Sequence, residues 1–352
     1  MARPAPPWAD HVSAPGALSV PVRAVRRRAR IATILLGVAV AALALYLLST
    51  GELPFTPGQV LAALAGQDAG GAGLIVREWR APRVLLAILI GAALALSGAL
   101  FQIITRNPLG SPDIIGFTTG AYTGALLVML GGGSALLSVS AASVVGGLLT
   151  AAVIWLLVMR RGASGFRLIV VGIAITAMLN SFNIWIVTTV DQKEALSAAI
   201  WGAGSLNGVG WEQVPVLLIT LMGAVPALAL LAGPLRVLEL GDDLAAALGT
   251  APERVRLAAI VLGVVLVAVA TAITGPIAFV ALAAPQIARR LCASPGIPYV
   301  ATALTGALIL LASDLIATRA LAPTQLPTGV VTICVGGAYL AWLLGVEGRR
   351  RR

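Results

Sequence analysis

Between Arg83 and Arg106 run 22 residues, Val84 to Thr105, without one charged side chain. As a helix rising about 1.5 Å per residue they span roughly 33 Å, about the hydrocarbon thickness of a bilayer. In lipid every backbone N–H and C=O must be satisfied within the protein, so such a run predicts a transmembrane helix. It stops at Asn107-Pro108-Leu109-Gly110-Ser111-Pro112, where two prolines without N–H donors and a glycine favour a tight turn. A new apolar run starts at Asp113, an acid suited to a helix N-terminus.

The rest of the chain repeats this pattern. Of its residues 59% are hydrophobic and 11% charged, whereas a soluble domain carries roughly 25% charge. Apolar runs bounded by charge, Gly or Pro fall at about 31–49, 84–105, 113–130, 135–159, 168–190, 214–232, 257–274, 277–288, 299–318 and 328–346. The expected fold is an all-α polytopic membrane protein of about ten spans, with the short eighth one tilted, paired with a re-entrant neighbour or set in thinned bilayer. Residues 1–30 read as a disordered basic cytosolic tail, 31–346 as the membrane domain and 347–352 as a second basic tail.

A net charge of +10 raises the possibility of nucleic acid, but here the arginines punctuate apolar runs instead of covering one solvated face. With both termini inside, 19 of the 24 Lys and Arg fall on the cytosolic side, among them Arg106, Arg160, Arg161, Arg254 and Arg256. An even number of spans therefore meets the positive-inside rule. The exceptions are Arg77, Arg80, Arg83, Lys193 and Arg319. Three of these crowd the outer mouth of the second span, where they either snorkel as helix-end anchors or form a basic dock for an acidic partner.

Two loops carry further signals. In the outer loop 191–213, Glu194 to Trp201 is weakly amphipathic and suits a membrane surface or a cavity cap. In the inner loop 233–256, Gly241-Asp242-Asp243 starts a short helix of about 242–252, with Leu244 and Leu248 four residues apart on one face. That helix is either a surface anchor or a knob for a cytosolic protein. Within the spans, Gly120 and Gly124 form G-x-x-x-G, while Gly91, Ala95 and Gly98 place small residues on neighbouring turns, a pattern of close helix packing. Asn180, Asn183 and Gln102 are intramembrane amides that either bond between helices or line a path.

Some chemistry has no residues to carry it. There is no P-loop, and the sole lysine is Lys193, so this chain does not bind ATP in that way. The only histidine is His11, and Cys292 and Cys334 stand in no ligand-like spacing. No nucleophile elbow or buried carboxylate pair occurs, and Asp314 is the acid nearest a membrane position. The expectation is a membrane chain without an enzymatic centre, cofactor or metal of its own, with any energy supplied by another polypeptide.

Three blocks resemble the FecCD-type permeases of ABC importers. They are R-A-P-R-V-L-L-A-I-L-I-G-A-A-L-A-L-S-G with F-Q-I-I-T-R-N-P-L-G-S-P-D-I-I-G; L-A-A-A-L-G-T with T-G-P-I-A-F-V-A-L-A-A-P-Q-I-A-R-R-L; and S-D-L-I-A-T-R-A-L-A-P-T-Q-L-P-T-G-V-V-T. The resemblance implies ten helices and a second permease subunit, identical or paralogous. It also implies two cytosolic ATPases, which carry ATP and Mg, and an extracytoplasmic binding protein. The implied cargo is a ferric siderophore moved inward across the cytoplasmic membrane, with haem or cobalamin as alternatives and an ion-coupled secondary transporter as the competing class.

The same resemblance assigns Arg80 and Arg83 to contact with glutamates of the binding protein, and Arg319 as a further candidate. It assigns the helix carrying Asp242, Asp243, Leu244, Ala247, Leu248 and Gly249 to the ATPase cleft, and favours Asn180 and Asn183 as path-lining residues. Gln286 stands where the family commonly has His, and Gln325 where Glu is frequent, so local hydrogen bonding and outer charge differ here.

Overall fold

A computed structural model describes residues 22–67, 72–132, 136–159 and 165–350. These residues are helical, with no strand among them. Helix α1 (Val22–Ser49) is followed by α2 (Pro57–Leu64), which Thr56 and Gln59 start as a capping box, and by the single turn α3 (Ala72–Leu74). A π-helical turn, Ile75–Arg80, leads into α4 (Ala81–Thr105), the uncharged run. Next come α5 (Pro112–Ile115), α6 (Phe117–Leu130), α7 (Leu136–Met159), α8 (Gly165–Thr189) and α9 (Gln192–Gly202). The chain continues with α10 (Gln213–Leu238), α11 (Asp242–Ala247), α12 (Pro252–Thr274), α13 (Val280–Cys292), α14 (Tyr299–Arg319) and α15 (Thr328–Arg350).

Each of the ten expected apolar runs overlaps a helix, the eighth only from Val280 onward. Among the described residues seven helices are long and apolar enough to cross a membrane, and α6 and Thr328–Tyr339 are shorter apolar ones. The boundaries need four corrections. Helix α1 reaches back to Val22, so residues 22–30 are not a disordered tail; from Val22 to Leu36 no Gly or Pro interrupts a run rich in Arg and Ala, both good helix formers. The last helix likewise runs through 347–350. Gly116, at φ 96, splits the 113–130 run into α5 and α6. The 242–252 helix closes at Ala247, because Leu248 caps it, Gly249 turns at φ 80 and Pro252 already begins α12. Residues 1–21, Arg160 and Arg161 lie outside the described residues.

The core forms around α4, α12 and α14. In α4 78% of the most apolar window is buried and in α12 72%, against 17% in α1 and in α8, so the first pair is central and the second lies at the edge. Close approach explains the packing. A methyl added at Gly91 would overlap the Gly306 backbone, and one at Gly120 or Gly124 would overlap residues of α7 around Gly146. The small-residue pattern of the sequence thus marks the α4–α14 and α6–α7 seams.

Buried irregular backbone completes the short eighth span. Gly275 to Phe279 unwinds between α12 and α13, with Gly275 at φ 72 pressed on the Trp201 carbonyl. Ser205 N–H donates to Thr274 O at 2.7 Å, and Gly329 N–H to Gly204 O at 2.8 Å. Non-helical backbone is tolerated at membrane depth only where protein covers it, and the loop after α9 and the start of α15 cover this one. The amphipathic piece of the 191–213 loop is α9, whose Trp201 stacks on Tyr122 of α6 at 5.5 Å.

Candidate functional site

At the end of the bundle where α4 begins, the three candidate docking arginines line one recess of about 520 Å³, together with Glu52, Asp314 and Gln325. Each has a different environment. Arg83 grips Asp314 with two parallel bonds, Nε to Oδ2 at 2.9 Å and Nη2 to Oδ1 at 2.8 Å. Thr328 Oγ1 donates to the same carboxylate at 3.1 Å. The Asp314 side chain is 3% exposed and that of Arg83 21%, so this is a bidentate buried ion pair tying α4 to α14 and α15.

Arg80 is held by the last turn of α1 and the loop after it. It donates from Nη1 to Leu48 O at 2.9 Å and from Nη2 to Leu53 O at 2.7 Å, and its guanidinium lies 5.1 Å from the Phe55 ring centre. The π-helical turn offsets the chain just before this point, with Ala81 N–H donating to Val76 O. Arg319, at the end of α14, is exposed and makes no ion pair or hydrogen bond among the described residues. Arg77 is also exposed, with Nε on Gly73 O at 3.3 Å. Two of the three candidates are therefore engaged inside the chain, and Arg319 is the one left to solvent.

At the opposite end, Asp242 opens α11 and is clamped by two arginines. Arg256 Nη2 reaches both carboxylate oxygens at 3.0 Å, and Arg106 Nη2 makes a short bond to Oδ1. Arg106 caps α4 in the left-handed conformation, φ 49, and its Nε donates to Leu238 O at 3.2 Å. Partial burial would raise the Asp242 carboxyl, but the Arg256 and Arg106 guanidinium groups outweigh it and hold the group below the usual carboxylate range. One carboxylate thus joins α11 to the ends of α4, α10 and α12. Beyond the clamp Leu244 is 56% and Leu248 64% exposed. Asp243, Ala247 and Gly249 are exposed too, while Ala245 is the buried residue of this helix.

The interior amides separate. Gln102 is buried and bridges α4 to α13: its Nε2 donates to Leu282 O at 3.0 Å and its Oε1 accepts from Gln286 Nε2 at 2.6 Å. Gln286 of α13 thus supplies the donor to the Gln102 carbonyl oxygen. Asn180 is exposed on α8. Asn183, one turn on, is buried, and neither of its amide atoms has a hydrogen-bond partner among the described residues.

Three of these contacts escape sequence reasoning. Arg106 and Arg256 count there only toward topology, and Thr328 carries no signal. Their partners lie 136, 14 and 14 positions away, beyond any local pattern.

A helical bundle of membrane-crossing length, with a polar recess at one end and a braced helix with exposed leucines at the other, has the form of a transport permease. The family model described as the FecCD transport family matches residues 33–345, and the chain belongs to that family. It is 46% identical over 331 residues to the ferric enterobactin transport system permease protein FepG of Escherichia coli (strain K12), covering 93% of this chain and 99% of that one. It is 36% identical to the achromobactin transport system permease protein CbrC of Dickeya dadantii (strain 3937), over 84% of this chain and 86% of the other. Among solved structures it is similar to an inward-facing metal-chelate type ABC transporter. That likeness has a TM-score of 0.79 at 27% identity and covers 89% of this chain and 98% of that one.

Proposed function

We propose that this chain is the membrane-spanning permease of an ABC importer that carries a ferric siderophore inward across the cytoplasmic membrane, with both termini cytosolic. Two separate ATPase subunits supply the energy and hold ATP and Mg, a second permease completes the path, and an extracytoplasmic binding protein delivers the cargo. The observation that carries this reading is the near full-length match, at 46% identity, to a ferric enterobactin permease.

The geometry gives each end a task. The exposed Leu244 and Leu248 on a helix clamped through Asp242 suit an apolar cleft on an ATPase. Closure of that ATPase would press on α11, and the clamp would pass the push to α4 and α12 at the core. At the other end, Arg319 is free to meet a carboxylate of the binding protein, while Arg80 and Arg83 shape the recess around it. Asn180, exposed on α8, suits a face toward the second permease or the path. An ion-coupled mechanism is less well served, since Asp314 is already held by Arg83 and Thr328.

Iron uptake in cells lacking their own ferric enterobactin permease tests the cargo. Expression of this chain with its cognate second permease, ATPase and binding protein is expected to restore uptake of labelled ferric enterobactin above that of haem or cobalamin. Uptake of haem or cobalamin in its place would overturn the cargo assignment.

A further inference from the structure

Helix α1 lies along the edge of the bundle, where Leu36 packs with Ala288, Cys292 and Ala301 of α13 and α14. Beside this contact a cleft of about 1000 Å³ opens between α1 and Leu291, and none of the candidate site residues lines it. One face of α1 forms its wall, carrying Arg27, Arg28, Ala32, Leu35 and Ala39. The alanines make room where larger side chains would fill the groove. At the mouth, Arg28 Nε donates to Leu291 O at 3.2 Å, which fixes the guanidinium there. Its terminal nitrogens and all of Arg27 have no acceptor among the described residues, and both side chains are exposed.

The dimensions select an occupant. From Arg28 to Ala39 the helix rises about 16 Å, close to half of the roughly 30 Å hydrocarbon core and therefore to one leaflet. Two unpaired cations stand at the headgroup end and an apolar trough runs from them to mid-membrane depth. We infer that this cleft binds one anionic phospholipid, its phosphate on Arg27 and Arg28 and an acyl chain along Ala32, Leu35 and Ala39. Basic pockets at the ends of membrane helices attract such headgroups. A second copy of the chain would bring its own arginines to the same mouth, which like-charge repulsion disfavours.

The site shares an end of the molecule with α11. Gly296, in the turn after α13, lies beside the carboxylate of Glu239, which closes α10 three residues before α11 begins. The cytosolic leaflet follows from the orientation proposed above, whereas the site itself does not depend on it. Bound there, the lipid would wedge α1 against α13 beside the helix offered to the ATPase.

Native mass spectrometry of the full chain, released from nanodiscs of phosphatidylcholine with phosphatidylglycerol as the minority lipid, tests this. One phosphatidylglycerol is expected to stay bound in preference to phosphatidylcholine. Arg27→Gln with Arg28→Gln should lower that retention roughly thirtyfold, as expected for two headgroup contacts. Arg26→Gln with Arg30→Gln, on the opposite face of α1, should leave it unchanged. Ala32→Trp should displace the lipid with both charges in place, and monodispersity with unchanged helical circular dichroism checks each fold. Equal retention of the two lipids by the unaltered chain would overturn the proposal, as would equal losses from the two arginine pairs. Neither ATPase nor cargo enters this readout, so its failure leaves the transport assignment standing.

Discussion

Arg83 and Asp314 lie 231 positions apart yet share two bonds in a nearly dry setting. Removing one partner leaves a buried charge uncompensated, at about 3–5 kcal/mol. Asp314→Asn is therefore expected to lower the melting temperature of the detergent-purified chain markedly. Adding Arg83→Gln should recover part of the loss, and strictly additive losses would contradict a coupled pair. Read from sequence, Arg83 was a cation on the wrong side of the membrane with two possible uses. The structure supplies an internal partner that no local spacing could announce. The same holds for Arg80, whose acceptors are backbone carbonyls and so carry no residue-type signature. Arg319 consequently separates docking from folding: Arg319→Glu should weaken binding-protein affinity roughly fivefold to tenfold with the melting temperature unchanged. Unaltered affinity in a titration by surface plasmon resonance would remove Arg319 from the docking surface.

Among the elements, the ten apolar runs were legible because lipid imposes length and hydrophobicity on any helix that crosses it. Gly116 and Gly275 were less so, since a glycine turns the chain only where packing demands it, and both positions meet a neighbouring backbone or side chain closely. The short helix α11 was legible from Gly241 and its first-turn acids, but its anchorage through Arg106 and Arg256 was not. Leu244→Asp with Leu248→Asp is expected to reduce ATPase co-purification on the order of tenfold or more, as for loss of an apolar anchor; full stoichiometry would refute the docking role. Asp242→Asn keeps the helix and loosens its clamp, so ATPase association should persist while transport per ATP falls.

The pH dependence of that clamp has a definite sign. The folded carboxyl of Asp242 lies below its ordinary value, so its stabilisation is fully present above about pH 4, the unfolded carboxylate range. It is lost only as pH falls through the still lower folded value. Transport per ATP should therefore stay flat from pH 6 to 8 as far as this clamp is concerned. A loss in that window that Asp242→Asn abolishes would contradict the assignment.

For the whole molecule, a core of α4, α12 and α14 touches both functional ends, because α4 begins at the Arg83 pair and ends at the Arg106 clamp. In the proposed importer that continuity would give the bundle a mechanical route from a push on α11 to the recess at the start of α4. The most direct measurement is flux of a labelled ferric siderophore complex into vesicles carrying the purified chain, with and without its second permease, ATPase and binding protein. Accumulation that needs ATP and all of those partners is the predicted result, and accumulation by the chain alone, driven by an ion gradient, would contradict it.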